Sequence, residues 1–376
     1  MRNTILVVLG TRPEAIKLAP VIFKLRGSKT LKPFVCSTGQ HDELLRQVLE
    51  DFFLEPDMDL KLMYPGQCLA KLSSRLIQRL DEVVARIDPA CLLVQGDTTT
   101  AMAGALSAFY RHVPVAHVEA GLRTGDMEHP FPEELNRRII SLVADLHFAP
   151  TYIAAENLRR EGIAAEKIYI TGNTIVDSVK YMLEEMNRDV WQISARLKKY
   201  VECKKRLVVV TLHRRENIDH INSICEAIKR ISDLYNDILL VFPVHKNPSV
   251  STQIYALLRE AENVDLIPSL SYKDMLWLLQ KSFLILSDSG GIQEEATALG
   301  KRLLILRTNT ERPECITSGC CSLVGVGQDD IVNEFKKYEK SGGTAFHGTD
   351  ILGDGTAASC IVEHLENFLQ HQDRYI

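Results

Sequence analysis

Four apolar residues, Phe283-Leu284-Ile285-Leu286, run directly into Ser287-Asp288-Ser289-Gly290-Gly291-Ile292-Gln293-Glu294-Glu295. The run is short, bounded and β-prone, which predicts a buried strand. Ile292, Ala296 and Leu299 then recur at i, i+4 and i+7, the spacing of a helix that stops at Gly300. A second buried run, Leu303-Leu304-Ile305-Leu306, follows. Strand, turn, helix and strand in this order point to an α/β fold. Ser289 suits a helix N-cap, and the paired glycines let a ligand approach the backbone. Free N–H groups and the helix dipole make such a turn a seat for a diphosphate. From this stretch alone, a helix cap without a ligand reads equally well.

The same unit recurs along the chain. Ile5 to Leu9 is a continuous apolar run, the signature of a strand covered on both faces, and it ends at Gly10-Thr11-Arg12-Pro13-Glu14. Pro13 and Glu14 suit the first turn of a helix. Arg12 then sits at a strand's carboxyl end, where open α/β sheets bind ligands and a guanidinium can fork onto phosphate oxygens. Lys17, on the same helix, reads by itself as part of a solvated face. Cys91 to Val94 opens into Gln95-Gly96-Asp97-Thr98, and Val113 to Val118 runs straight into Glu119. Asp97 alone reads as an Asx-turn or helix cap. With Glu119 and Glu133 it forms a set of three acids on successive loops of one sheet edge, with Arg123 nearby. Two carboxylates ~5 Å apart at an effective dielectric of ~20 repel by about 3 kcal/mol, on the order of two pKa units. Such a set is expected to hold one proton and poise another member as a base, with Arg123 opposing the shift.

The second half restarts the pattern. Leu207 to Thr211 is an apolar strand ending at Leu212-His213-Arg214-Arg215. The stretch from Glu184 to Lys205 is charged and glycine-poor, which reads as surface helices. The expected organisation is two doubly wound Rossmann-like α/β domains, residues 1–171 with 357–376 and residues 172–356. The last helix crosses back to the first domain, and His213 and Arg12 face a ligand cleft between the domains. A chain of 376 residues suits two domains. A net charge of −5 without a long basic run excludes a nucleic-acid partner. No stretch reaches the roughly 18 apolar residues of a membrane helix, and the apolar N-terminus is too short for a signal peptide. Nine cysteines without metal spacing point to reduced thiols and a cytoplasmic location. The adjacent pair Cys320-Cys321 has no functional reading.

Nine motifs in order carry a resemblance over almost the whole chain: Gly10-Thr11-Arg12-Pro13-Glu14, Gly96-Asp97-Thr98-Thr99-Thr100, His117-Val118-Glu119-Ala120-Gly121-Leu122-Arg123-Thr124, Pro132-Glu133-Glu134, Thr171-Gly172-Asn173-Thr174, His213-Arg214-Arg215-Glu216, Pro243-Val244-His245, Ser289-Gly290-Gly291 with Gln293-Glu294-Glu295, and Glu311-Arg312-Pro313-Glu314. In these the chain resembles the bacterial non-hydrolysing UDP-N-acetylglucosamine 2-epimerases. The resemblance implies a glycosyltransferase-B-like pair of domains and reversible conversion of UDP-N-acetylglucosamine to UDP-N-acetylmannosamine. The implied route is loss of UDP to 2-acetamidoglucal and re-addition. It implies a cytoplasmic homodimer with no metal and no other cofactor. It assigns Arg12, Lys17, His213, Ser289, Gly290, Gly291 and Glu295 to UDP. Asp97, Glu119, Glu133 and His213 are assigned to catalysis, and Gln40, His41, Arg214 and His245 to a regulatory substrate site. Two departures bear on this. Leu212 stands where the family carries glycine or alanine. Asp42 and Glu43 follow Gln40-His41 where the family has arginine next, which weakens anion binding there. The rival readings are a glycosyltransferase of the same fold, a hydrolysing epimerase, and a nucleotide-sugar sensor without catalysis.

Overall fold

The computed structural model describes residues 3–39, 42–64, 66–188, 193–244, 248–342 and 350–372. The chain forms two compact units, Met1–Tyr181 with Leu352–Ile376, and Met182–Ile351. The first holds seven strands: β1 Thr4–Leu9, β2 Lys32–Ser37, β3 Met58–Asp59, β4 Cys91–Gln95, β5 Val115–Val118, β6 Leu146–Ala149 and β7 Ile168–Ile170. They lie in the order β3-β2-β1-β4-β5-β6-β7, and every neighbouring pair is parallel. The second unit holds β8 Arg206–Thr211, β9 Ile238–Val244, β10 Val264–Pro268, β11 Leu284–Ser287, β12 Leu303–Ile305 and β13 Cys321–Leu323. Their order is β10-β9-β8-β11-β12-β13, again all parallel.

Both sheets follow from the apolar runs. Ile5 through Leu9 are wholly buried, as are Val208 to Val210 and Leu284 to Leu286. A strand with helices on both faces has no wet side, so it has no polar alternation. In each sheet the chain moves outward from its first strand, then returns to that strand's other side. The order therefore reverses between β1 and β4, and between β8 and β11. The carboxyl ends of those pairs open the crevice in which doubly wound sheets bind ligands. The edge strands β3, β10 and β13 escaped the sequence reading, being short or only partly apolar.

The sequence reading put the first boundary at Thr171-Gly172, just before the helix Thr174–Asn187; the structure carries that helix from one unit into the other. Its first turns belong to the first unit because Ser178 Oγ donates to Ile16 O at 2.6 Å and Asp177 Oδ1 accepts from Ala358 N at 3.0 Å. The terminal helix Ala357–Gln372 packs on the helix Arg12–Gly27. Glu366 fixes the contact, accepting from Ser28 Oγ at 2.6 Å and Thr30 Oγ1 at 2.7 Å. Among the described residues no helix is long and apolar enough to cross a membrane. All nine cysteines are free thiols.

Candidate active site

In the first unit the site grows from three strand ends. After β1, Thr11 is extended and caps the helix Arg12–Gly27, with Pro13 in its first turn. Arg12 is the first helical residue and partly exposed at the edge. Glu14, two residues on, is wholly buried. Its Oε2 accepts from Gly10 N at 2.9 Å, Thr11 N at 2.7 Å and Thr11 Oγ1 at 2.8 Å, and its Oε1 accepts from Thr98 Oγ1 at 2.6 Å. Burial pushes its carboxyl up to about 7, and those hydrogen bonds oppose the rise.

Lys17 is buried rather than on a solvated face, because its ammonium pairs with Glu119 Oε1 inside the unit. Gln95 Nε2 donates to the other oxygen, Glu119 Oε2. Glu119 itself has φ +66°, a left-handed conformation that a non-glycine residue rarely adopts. It ends β5 and turns the chain at once, and such a residue persists only where its surroundings hold it. Gly96, at φ +70°, makes the matching turn after β4, and a Cβ there would lie 3.4 Å from Glu119 Oε2. Beneath that turn His117 is wholly buried. Burial pushes its imidazole down to about 3, so it is neutral at pH 7 and its Nε2–H donates to Gly96 O at 2.7 Å.

Asp97 follows Gly96 and is held by the helix Glu133–Val143 at two points. Asn136 Nδ2 donates to Asp97 O at 2.9 Å, and Arg137 Nη1 pairs with Asp97 Oδ2 at 3.0 Å. The same guanidinium pairs through Nη2 with Glu134 Oε2 at 3.0 Å. Burial raises the Glu134 carboxyl, but the bond from Thr124 N and the Arg137 charge outweigh it and hold its pKa below the ordinary value. Glu133 is the half-buried first residue of this helix, so the grip on Asp97 also sets where Glu133 begins.

Two of the three acids expected to repel one another stand against a cation. Asp97 and Glu119 each face a cation of their own, Arg137 and Lys17. At contact distance an opposite charge outweighs a like charge further off. Arg123 is not the cation that counters these acids, since it forks onto Glu161 at 2.8 and 2.7 Å, a geometry that satisfies two N–H donors at once. Of the carboxyls around these strand ends whose pKa is shifted, Glu14 is held above its ordinary value by burial and Glu134 below it by its partners.

In the second unit the site forms where β8 and β11 end. Thr211 Oγ1 and Ser287 Oγ bridge the two strands at 2.6 Å. Asp288 is wholly buried just beyond. It accepts from His213 N at 3.1 Å, Arg214 N at 3.0 Å and Asn217 Nδ2 at 3.0 Å. His213 Nδ1 lies 3.0 Å from Asp288 Oδ1, and the His213 side chain is 41% exposed. Burial raises the Asp288 carboxyl, but the bond and charge of His213 and the backbone donors prevail and keep it below its usual range. Asp288 thus fixes one imidazole nitrogen and leaves Nε2 for a ligand. Leu212 does not hinder this turn; it is buried in the apolar core.

Ser289 caps the helix Gly290–Ala298, accepting from Ile292 N at 3.4 Å. Gly290 and Gly291 occupy its first turn, and Glu295 lies buried one turn further along. A Cβ on Gly290 would come within 2.7 Å of Arg312 Nη1, so only glycine lets that guanidinium lie against the helix start. Arg312 pairs with Glu294 at 2.6 Å and Glu311 at 2.5 Å, while Arg307 meets Glu311 at 3.0 Å. Burial opposes ionisation of Glu311, but Arg312, Arg307 and Arg214 together hold its pKa far below the carboxylate range.

Of the residues expected to form a regulatory site, Gln40, His41 and His245 lie outside the described residues. Arg214 is described, and its Nη2 lies 3.6 Å from Glu311 Oε1. Among the described residues no group of three His, Cys, Asp or Glu side chains could hold a metal ion. The sequence reading missed Gln95, Arg137, Asp288, Glu311 and Arg312 as supports. Two carried a signal. Asp288 ends a strand as Asp97 does, and Arg137 stands four residues after Glu133, on the same helix face.

A family model described as UDP-N-acetylglucosamine 2-epimerase matches residues 24–366. The chain is 42% identical over 369 residues to a UDP-N-acetylglucosamine 2-epimerase of Escherichia coli strain K12, covering 96% of this chain and 98% of that one. It resembles the crystal structure of a Neisseria meningitidis UDP-GlcNAc 2-epimerase bound to UDP-GlcNAc, with a TM-score of 0.90 and 40% identity, over 97% of this chain and all of that one. A Methanocaldococcus jannaschii UDP-GlcNAc 2-epimerase in complex with UDP-GlcNAc and UDP aligns with a TM-score of 0.85 and 31% identity, over 97% and 99% of the two chains.

Proposed function

Since the chain belongs to the UDP-N-acetylglucosamine 2-epimerase family, we propose that it interconverts UDP-N-acetylglucosamine and UDP-N-acetylmannosamine by elimination and re-addition of UDP. It is an enzyme, an epimerase. The hydrogen on the sugar's 2-carbon is not next to a carbonyl, so no enolate forms directly. In the proposed step a carboxylate removes that proton. The C–H pair becomes the double bond between carbons 1 and 2, and the bond from carbon 1 to the phosphate oxygen breaks with its electrons onto UDP. The product is 2-acetamidoglucal. UDP then adds back while a proton arrives on the opposite face of carbon 2.

The observation that carries this reading is the acid-bearing edge of the seven-stranded sheet. Asp97 and Glu119 end adjacent strands, and the helix that starts at Glu133 grips the Asp97 turn. We assign acid and base work on the two faces to Asp97, Glu119 and Glu133. Lys17, expected among the UDP ligands, acts on Glu119 in this reading. With Nδ1–H given to Asp288, His213 offers an Nε2–H only as the imidazolium, so it and Arg12 meet the departing diphosphate with cationic N–H donors. The N–H groups of Gly290 and Gly291 at the helix start add preorganised dipoles, often a large share of catalysis. Glu295 receives the ribose hydroxyls, since two acceptor oxygens suit a diol. A homodimer working in the cytoplasm belongs to the same proposal. Leu135 and Leu142 are exposed along one helix, and nine free thiols suit a reducing compartment.

Proton NMR of the protein with UDP-N-acetylglucosamine in heavy water tests it. A UDP-N-acetylmannosamine signal with deuterium at carbon 2 is expected. UDP with free N-acetylmannosamine would instead place the chain on a hydrolysing branch, and unchanged substrate would sink the proposal.

A further inference from the structure

Glu14 does more than cap its own helix. A capping box asks its third-position acid only to accept from the cap residue's N–H. Here the carboxylate also takes Gly10 N–H, and on its other oxygen Thr98 Oγ1, from a loop 84 residues away. Those contacts join two segments of the site. Gly10 and Thr11 lead into Arg12, the first residue of the helix. Thr98 follows Asp97 and caps the helix Thr99–Tyr110, accepting from Ala101 N at 2.9 Å. We propose that Glu14 is a positioning residue that fixes the Arg12 turn and the Asp97 turn against each other. The inference rests on the reading of the site given above.

The donor set decides why a carboxylate stands there. Its partners are two backbone N–H groups and two hydroxyls that reach it as donors. Once ionised, above the value near 7 to which burial lifts it, the carboxylate is an acceptor only, with about four lone-pair sites, so four donors fill it. A glutamine of the same shape would turn an NH2 group toward N–H donors on one side or toward Thr98 on the other. The first arrangement opens the Gly10-Thr11 end; the second reverses the Thr98 bond, its hydroxyl now accepting, and removes the charge that the four donors share. An aspartate is one methylene too short to reach both loops. Because the residue is wholly buried, water does not take the place of a lost partner.

The two arms separate in experiment. Glu14→Gln, Thr98→Ser and Thr98→Asp are made in the full chain. UDP affinity is measured by calorimetry and turnover by NMR, well below each variant's melting temperature. Glu14→Gln is expected to weaken UDP about fivefold or more through Arg12, and to lower kcat about tenfold to a hundredfold through Asp97, because small misplacement is costly in a preorganised site. Thr98→Ser keeps both the cap and the donor and should match the wild type. Thr98→Asp keeps a cap acceptor but cannot donate to Glu14. Its kcat should fall about tenfold, with UDP affinity within about twofold. Glu14→Gln with both constants near wild type would overturn the proposal. So would Thr98→Asp turning over like Thr98→Ser, or variants that only melt earlier. If Glu14→Gln does not fold, the Thr98 pair decides. If the wild type does not epimerise, the reading of the site fails by itself, and the UDP affinity of Glu14→Gln still reports on the Arg12 arm.

Discussion

Replacing Arg137 with methionine removes the one guanidinium that pairs with both Asp97 and Glu134. Arg137 is 3% exposed, Glu134 wholly buried, and Asp97 30% exposed. The two arms therefore differ in energy. Breaking a buried pair and leaving one charge behind costs about 3–5 kcal/mol. The Asp97 arm is partly screened and contributes about 1 kcal/mol or less. Glu134 keeps the Arg138 guanidinium at 3.4 Å and its bonds from Thr124 N at 3.1 Å and Thr124 Oγ1 at 3.3 Å, so no more than the lower end of that range, about 3 kcal/mol in all, is expected at pH 7. The pH dependence follows in sign. The Glu134 carboxyl is held below its usual value in the folded state, so this stability is present above the unfolded value of about 4.5. It fades as pH falls below that toward the folded value, because a protonated Glu134 no longer needs Arg137. Hydrogen exchange over residues 133–143, with urea unfolding followed by circular dichroism, measures the loss. Turnover should fall with it, since Asp97 and the start of the Glu133 helix lose their common anchor. A change under about 0.5 kcal/mol at pH 7 with near wild-type turnover would refute the reasoning. A loss that grows on acidification would refute the sign.

Asp97→Asn, Glu119→Gln and Glu133→Gln should each fold and bind UDP but lose turnover by orders of magnitude; near-normal turnover would remove that acid from the mechanism. Gly290→Ala should weaken UDP by about tenfold in calorimetry. Its Cβ meets a guanidinium that Glu294 and Glu311 hold in place. The buried Glu14 carboxyl, raised from 4.5 to about 7, favours the proton in the folded state. Stability relative to Glu14→Gln is thus full below about 4.5 and drops by about 3 kcal/mol as pH rises to about 7; urea titrations at several pH values would show it.

Much of the fold was legible because it depends on short-range pattern. Continuous apolar runs such as Ile5 to Leu9 and Leu284 to Leu286 can only be strands covered on both faces, and the polar turns after them must lie at a sheet's carboxyl edge. That pattern alone places Arg12, Asp97, Glu119, His213 and Ser289 at strand ends. It did not reveal β3, a strand of two residues whose pairing comes from a neighbour and not from its own composition.

The sequence by itself determined the α/β class, the two restarts of the pattern, and which polar residues end strands. Only the tertiary structure decided the partners. Lys17 and Glu119 stand 102 positions apart, Asp97 and Arg137 40 apart, and His213 and the Asp288 that orients it 75 apart. Charge pairing falls off with distance in space and not along the chain. A lysine that reads as solvated from its helix, or two acids, Asp97 and Glu119, that read as mutually repelling, change character once the fold brings a counter-charge against them.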